Sequence, residues 1–266
     1  IHKKVAVISD VHEDYEKVLF DRSWISRGMV PFVKVITKIL RKVRERWSHV
    51  VVAVDNSVAF DDYLIISNRP NHVDLPSPPE ALPLKRLVYV GDIRESRGLS
   101  AMLRLVQASP DVDLDLVGPC ANEESLYQQI EELDLAGRVQ WHGRCSYKQS
   151  WEIARHCLAG LSLLSPTPSF QEAIPTKIWE YWAVGLPILA TDISGQSRVI
   201  HEAKGGVVGG HDELAKVLDI WVHNPKEAQR IGSQGREYFL QTRTGDEKEI
   251  SDAVEDAIFA YKVQIQ

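Results

Sequence analysis

The sequence has few cysteines, no excess of basic charge and no long apolar run. Its three cysteines, Cys120, Cys145 and Cys157, are odd in number and lack CxxC spacing, which argues against a disulfide framework and against a zinc or redox site. A formal net charge of -6 argues against a general nucleic-acid binder. No apolar stretch approaches the roughly 18 to 20 residues that span a bilayer, and the first residues do not form a signal peptide. We therefore expect a protein of the reducing cytoplasm without a structural metal.

Short apolar runs alternate with helical patterns from Arg86 onward. We predict strands at residues 87–90, 114–117, 139–141, 158–164, 187–190 and 206–208. We predict helices at residues 99–107, 123–133, 147–156, 174–184, 212–223, 225–241 and 246–263. Strands separated by helices of this length form βαβ units with right-handed crossovers. The pattern therefore predicts a doubly wound α/β domain with a parallel sheet.

The residues before this domain are organised differently. Residues 68–83 hold five of the chain's 13 prolines and are typical of an extended linker. Upstream we predict strands at 4–9, 50–54 and 63–67 and a helix at 30–46, which are too few strands to close a doubly wound sheet. We therefore predict a remnant of a first Rossmann-like domain at 1–67, a linker at 68–84 and a second domain at 85–266. We also expect that an upstream portion is missing.

The stretch with the most candidate binding residues runs from Ser165 to Asp192. Glu172 and Glu180 are eight residues apart with Lys177 between them, and the predicted helix starts near Ile174. Its first backbone amides form an anion site suited to a diphosphate, and a carboxylate beyond it can accept hydrogen bonds from a ribose diol. The alternative is an amphipathic helix whose solvated charges have no binding role.

The same stretch resembles a known family. Glu172-x7-Glu180 followed by YWAVGLPILAT is similar to the signature of the retaining nucleotide-sugar glycosyltransferases with two Rossmann-like domains, the GT-B fold, specifically family 4. The resemblance implies that Glu180 binds the nucleotide ribose and that Glu172 faces the donor sugar and diphosphate. It also implies that loop amides near Ala173 and Ile174 meet the sugar and the β-phosphate, while Lys177 stabilises the departing diphosphate.

A second match lies in YVGDIRESRGL, residues 89–99, and supplies Gly91, Arg94, Arg97 and Gly98 as nucleotide-sugar contacts. The family's usual Lys falls on Arg97, which keeps the positive charge. The usual Arg falls on Asp92, which is a departure, because a carboxylate repels a diphosphate. Either Arg94 substitutes or the Asp92 side chain turns away. The alternative is that both arginines are surface charges of a βα loop.

Two shorter matches complete the resemblance. The loop WHGRCSY resembles the one whose backbone reads the nucleobase, which would place the base beside Arg144 and Cys145. Near the N-terminus, VAVISDVHEDY resembles the catalytic loop in which a His approaches the transferred sugar. This implies that His12 is catalytic, with Asp10 orienting its imidazole. The alternative for His12 is a loop histidine that is hydrogen-bonded for structure.

Asp10-x-His12 also supports a rival enzyme class. The pair resembles the opening metal motif of the calcineurin-like phosphoesterases, and Gly91-Asp92-Ile93-Arg94-Glu95 weakly resembles their second motif. Against this interpretation, the proline-rich segment separates the two motifs, and no Gly-Asn-His-Asp/Glu motif exists in the sequence.

The predicted helix at 30–46 indicates a third property. Seven basic residues and one acidic residue lie in the segment from Arg27 to Arg46, and Val33, Ile36, Leu40 and Val43 recur at helical spacing. Basic amphipathic helices of this kind can lie on anionic membranes. The alternatives are a helix packed on the core with a solvated basic face, or a non-enzymatic membrane-surface binding protein.

We interpret the chain as a GT-B glycosyltransferase. The resemblance implies transfer, with retention, from a UDP- or GDP-linked sugar to a glycan or lipid-linked acceptor in polysaccharide biosynthesis. No metal or other cofactor is expected. The expected location is the cytoplasm or the inner face of the cell membrane. We expect this chain to bind its donor while transferring little sugar.

Overall fold

The chain divides into two compact units, and each is described by itself. The computed structural model describes residues 5–12, 27–54, 58–60, 62–66, 69–71, 74–167 and 170–264. The first unit comprises Ile1–Asn68 with Thr242–Gln266, and the second comprises Arg69–Gln241.

The first unit contains a three-stranded parallel sheet. Its strands are β1 (Ile8–Val11), β2 (Val50–Ala53) and β3 (Leu64–Ile65), in the order β1-β2-β3, and helix α1 (Val30–Trp47) precedes β2. A small apolar core forms around buried Val11, Val51, Ala53 and Val58. The described part of this unit is thus of the α/β type, and whether it is part of a larger domain stays a prediction.

The apolar pattern of helix α1 suggests that its apolar side packs against the rest of the unit. In the structure, two arginines of the helix make contacts with the chain before β3. The Arg44 Nη2 atom donates a hydrogen bond of 2.8 Å to the Tyr63 hydroxyl, and the Arg41 guanidinium carbon lies 4.0 Å from the centroid of the Phe60 ring. Leu40 and Val43 are exposed, at 61% and 49%. Two arginines of α1 therefore meet aromatic rings of the chain before β3, whereas part of the apolar side of the helix is exposed.

The second unit is a six-stranded parallel sheet with helices between its strands. The strands are β4 (Arg86–Val90), β5 (Asp113–Val117), β6 (Val139–Trp141), β7 (Ala159–Ser162), β8 (Ile188–Ala190) and β9 (Gly206–Val208). The helices are α2 (Leu99–Gln107), α3 (Glu123–Glu132), α4 (Tyr147–Ala154), α5 (Thr176–Ala183), α6 (Ser194–Ala203), α7 (His211–His223) and α8 (Pro225–Gln264), the last of which continues into the first unit.

The strand order confirms the predicted doubly wound fold. It runs β6-β5-β4-β7-β8-β9, so the order reverses between β4 and β7. Ligands of such sheets bind in the crevice at the carboxyl ends of the strands beside this reversal. Residues that follow β4 and β7 therefore line the expected binding crevice.

The sheet is covered on both faces, which explains its apolar strands. Leu87 and Tyr89 of β4 point into one core, and Val88 between them points into the other. This alternation follows from the two-residue period of a strand. Trp151 and Trp182 are fully buried in the second core. Both faces are buried, as expected for a parallel sheet.

Two features of the helices differ from the prediction. Helix α6 is not predicted by the sequence pattern, and residues 225–241 and 246–263 lie in the single helix α8 rather than in two. A glycine such as Gly245 costs a helix interior only about 1 kcal/mol, so the helix continues through it. Residues 242–266 therefore do not belong with the predicted second domain. They group with the first unit, in which the Tyr261 ring meets the His49 ring edge-on, with centroids 6.0 Å apart.

The segment predicted as a linker belongs to the second unit from Arg69 onward. Arg155 Nη1 donates to the Ser77 carbonyl oxygen at 2.8 Å, and Gln229 Nε2 donates to that of Ala81 at 3.0 Å. These contacts hold the proline-rich chain against the helices of this unit. Of the predicted linker, residues 68, 72 and 73 lie outside the described residues.

Within the described part of the chain, no helix has the length and apolar character that a bilayer crossing requires.

Candidate functional site

Two glycines shape the crevice after β4. Gly91 has a φ of +144°, and a Cβ atom there would lie 3.0 Å from the Lys177 ammonium nitrogen. Gly98 has a φ of +90°, and a Cβ atom there would overlap the carbonyl oxygen of Leu163, just beyond β7. L side chains rarely adopt such backbone angles. Glycine thus lets the β4–α2 loop lie directly against the chain that leaves β7.

Lys177 is a buried cation in the first turn of α5. Its ammonium nitrogen lies 3.7 Å from the centroid of the Tyr89 ring, and the residue is only 9% exposed. Burial, together with the nearby charge of Arg97, lowers the pKa of Lys177 to about 7, against the opposing effect of Glu180 and Asp92. An anion bound here would restore the positive charge.

Glu180 lies one turn beyond Lys177 on α5 and is partly buried. The Tyr147 hydroxyl donates a hydrogen bond of 2.9 Å to its Oε1 atom. Burial raises the pKa of Glu180, while the Tyr147 hydrogen bond and the Lys177 charge act in the opposite direction. Tyr147 is not among the predicted site residues, although it is the last residue of the WHGRCSY motif.

The β4–α2 loop brings Arg97 to the same crevice. Its guanidinium carbon lies 4.8 Å from the centroid of the Phe170 ring, and its charge acts on Lys177. Arg94 Nε lies 3.2 Å from Asp92 Oδ2. The Asp92 carboxylate is therefore paired with Arg94, which explains how an acidic residue is accommodated at this position.

The Glu172 loop rests on α6, the helix that the sequence pattern does not predict. The Gly195 amide donates to the Gln171 carbonyl oxygen at 3.1 Å, and a Cβ atom on Gly195 would overlap the Glu172 backbone. Arg198 Nη1 of the same helix lies 3.9 Å from Glu172 Oε2. The start of α6 therefore determines where the Glu172 loop lies.

The predicted anion site at the start of α5 needs one correction. Helix α5 begins at Thr176 rather than near Ile174, with Pro175 as its N-cap. The Ala173 amide donates to the Phe170 carbonyl oxygen at 3.0 Å. Because this amide is already engaged in a turn, it could meet a phosphate only if that hydrogen bond opened. The contact of Ile174 with a ligand stays a prediction.

The predicted nucleobase loop lies at the carboxyl ends of β5 and β6. The Gly118 amide donates to the Gly143 carbonyl oxygen at 2.8 Å, which ties the loop to β5. Arg144 is exposed, whereas Cys145 is partly buried, with its Sγ atom 3.7 Å from the His142 carbonyl oxygen. The contact of Arg144 and Cys145 with a base stays a prediction.

His12 lies in the first unit, just after β1. Its Nε2 atom is 2.7 Å from Asp10 Oδ2, and both side chains are largely exposed. The pair has the geometry expected of a carboxylate that orients an imidazole. The role of His12 in catalysis stays a prediction.

The second unit thus brings two cations and a carboxylate together beside the strand reversal. Arg97 and Lys177 carry positive charge of the kind that pairs with phosphate oxygens, and the Glu180 carboxylate can accept hydrogen bonds from hydroxyl groups. Glu172 lies on the loop that precedes α5. Within the described residues, no group of three or more His, Cys, Asp or Glu side chains could hold a metal ion. The arrangement suits a ligand that joins phosphates to a polyol.

The sequence matches a known protein family. The profile of the family described as "Glycosyl transferases group 1" matches residues 76–238, more than half of the chain. An uncharacterized glycosyltransferase of Haemophilus influenzae is 27% identical over 164 residues, which cover 57% of this chain and 43% of that protein. The lipopolysaccharide core biosynthesis glycosyltransferase LpsD of Rhizobium meliloti is 28% identical over 186 residues, which cover 69% of this chain and 51% of that protein.

A solved structure shows the same fold. The crystal structure of Anabaena HepE in complex with UDP and glucose superimposes with a TM-score of 0.71 at 15% identity, covering 92% of this chain and 71% of that chain. The chain spans about half, or less, of the length of the two curated relatives.

Proposed function

Because the chain belongs to the group 1 glycosyl transferases, we propose that it transfers a sugar from a nucleoside diphosphate sugar to a glycan or lipid-linked acceptor. The fold is of the GT-B type. We further propose membership of family 4, transfer with retention of anomeric configuration, and a role in polysaccharide biosynthesis. The observation that carries the proposal is the buried Lys177 beside Arg97 and Glu180 at the strand reversal.

In this proposal the two cations stabilise the departing diphosphate. Lys177 gains a proton when the diphosphate approaches, since a nearby anion favours its charged form. Arg97 offers a planar fork that pairs with phosphate oxygens. Charge that develops on the leaving group thus meets positive groups already in place, which is the principal way such sites lower a barrier.

The two carboxylates hold the polyol parts of the donor. Glu180 accepts hydrogen bonds from the ribose, and Glu172 faces the transferred sugar. The Anabaena structure, whose ligands are UDP and glucose, supports a UDP-linked donor, and a GDP-linked donor is the second candidate. The name of the Rhizobium relative supports a saccharide acceptor.

Isothermal titration calorimetry with UDP, GDP and uridine tests the proposal. We expect UDP or GDP to bind and uridine to bind at least about tenfold more weakly, because the nucleoside lacks the groups that Lys177 and Arg97 would contact. A transfer assay with UDP- and GDP-sugars then identifies the donor. Failure to bind either diphosphate would contradict the proposal.

We also propose that α1 contacts an anionic membrane surface, which would place the protein at the inner face of the cell membrane. Phe32 is 64% exposed and Ile39 55% exposed on its apolar side. Lys38, Lys42 and Arg46 are exposed and repeat every four residues along the helix. Apolar side chains flanked by cations suit an interface of anionic lipids. Cosedimentation with phosphatidylglycerol vesicles tests this, and equal binding to neutral vesicles would contradict the charge argument.

A further inference from the structure

We propose that Tyr147 is a positioning residue for Glu180, holding one carboxylate oxygen so that the other is presented to the ribose of a nucleoside diphosphate. The inference rests on the proposed function and assigns a role to a side chain outside the predicted site.

The contact itself is direct. The Tyr147 hydroxyl donates to Glu180 Oε1 at 2.9 Å, and within the described residues no hydrogen bond is made to Oε2. Burial, followed by the Glu180 charge and more weakly by that of Asp74, raises the pKa of Tyr147, so the phenol keeps its proton and acts as the donor. One oxygen of the carboxylate is therefore held, and the other is available.

The Tyr147 ring is held in place by its own helix. Ser146 and Gln149 form a reciprocal capping box at the start of α4. The ring packs edge-on against Trp151, with centroids 6.2 Å apart, and Trp151 packs edge-on against Tyr181 at 5.4 Å. The Tyr181 hydroxyl accepts a hydrogen bond of 3.1 Å from the Val90 amide at the end of β4. Tyr147 is thus connected to the strand beside the reversal.

The hydrogen bond from Tyr147 favours the ionised form of Glu180 in a partly buried site. Two groups favour its ionised form, Tyr147 from α4 and Lys177 from α5, and burial opposes them. Without the phenol hydroxyl, Lys177 is the one of these two groups that still favours the ionised form of Glu180. The carboxylate then has one oxygen fewer held in place and takes up a proton at a higher pH.

A double-mutant cycle tests the proposal with UDP and with 2′,3′-dideoxy-UDP as probes in calorimetry. We expect Tyr147→Phe to weaken UDP binding about three- to tenfold, because the Glu180 contact with the ribose is weakened rather than removed, and to leave the dideoxy analogue unchanged. In a Glu180→Ala background the same change should have no effect. Equal losses for both ligands, or a loss in the Glu180→Ala background, would overturn the proposal.

A second measurement needs no nucleotide. Carbon-13 NMR titration of the Glu180 carboxyl should give a higher midpoint in Tyr147→Phe than in the parent chain. Tyr127→Phe is the matched control, since Tyr127 is exposed on α3, and it should leave the midpoint unchanged. An unchanged midpoint in Tyr147→Phe would refute the positioning role. If the parent chain binds neither UDP nor GDP, the proposed function fails, and this titration still decides whether Tyr147 acts on Glu180.

Discussion

Replacing Lys177 with Met should stabilise the second unit while weakening diphosphate binding. The folded chain holds the pKa of Lys177 at about 7, against an ordinary value of 10.5, mainly because of burial. At about 1.36 kcal/mol for each pH unit, this difference sets an upper limit of about 5 kcal/mol on the cost at neutral pH. Replacing a buried ion pair with apolar side chains of similar volume is often neutral or stabilising by about 1 to 4 kcal/mol. We therefore expect Lys177→Met to raise the free energy of unfolding at neutral pH by about 1 to 4 kcal/mol, below that upper limit.

The lowered pKa of Lys177 also makes the stability of the parent chain depend on pH. Between pH 7 and 10.5 the unfolded chain binds more protons at this lysine than the folded chain, so the parent's stability rises with pH across this window. The advantage of Lys177→Met should therefore be larger near pH 7 than near the upper end of the window.

Urea denaturation of parent and variant at the two ends of this window measures the difference. Lys216→Met, at an exposed position of α7, is the control and should change stability little. Calorimetry on the Lys177→Met variant should show UDP affinity reduced at least about tenfold, because a charge-assisted contact is lost. A Lys177→Met chain that is less stable than the parent at neutral pH, or whose advantage does not shrink as the pH rises, would refute this explanation.

Three further changes have expected outcomes. Glu180→Ala should weaken UDP binding about ten- to hundredfold in calorimetry, because a charge-assisted hydrogen bond is lost, and unchanged affinity would remove Glu180 from the site. Arg97→Ala should weaken UDP binding far more than uridine binding, and equal losses would indicate a structural role. Gly98→Ala should lower the urea midpoint markedly, because its Cβ atom overlaps the Leu163 carbonyl; a midpoint like the parent's would contradict that packing.

Much of the sheet and part of the site could be predicted from sequence, for physical reasons. Apolar strands buried on both faces produce short continuous runs, which is why β4 to β9 are predictable. Lys177 and Glu180 can be related to each other because they lie three residues apart, one turn along a helix. The start of α6 could not be predicted, because Gly195 in its first turn is a poor helix former. Glycine is needed there for contact with the Glu172 loop.

Other features depend on contacts between distant residues. Tyr147 lies 33 residues before Glu180, so the hydrogen bond between them has no local pattern in the sequence. The sequence leaves the orientation of Asp92 open, and its pairing with Arg94 required the side-chain geometry. The sequence also leaves open whether the apolar residues of α1 are exposed, since the same pattern is typical of a helix packed on a core.

The most direct test of the proposed site is the proton balance of diphosphate binding. Calorimetry of UDP and GDP binding about one pH unit above the pKa of Lys177, in buffers of different ionisation enthalpy, reports the protons taken up. Because that pKa is about 7 in the free site, most molecules have a neutral lysine under these conditions. We predict uptake of nearly one proton by the parent chain and none by Lys177→Met. Binding to the parent chain without proton uptake, or no binding at all, would contradict the central role of Lys177.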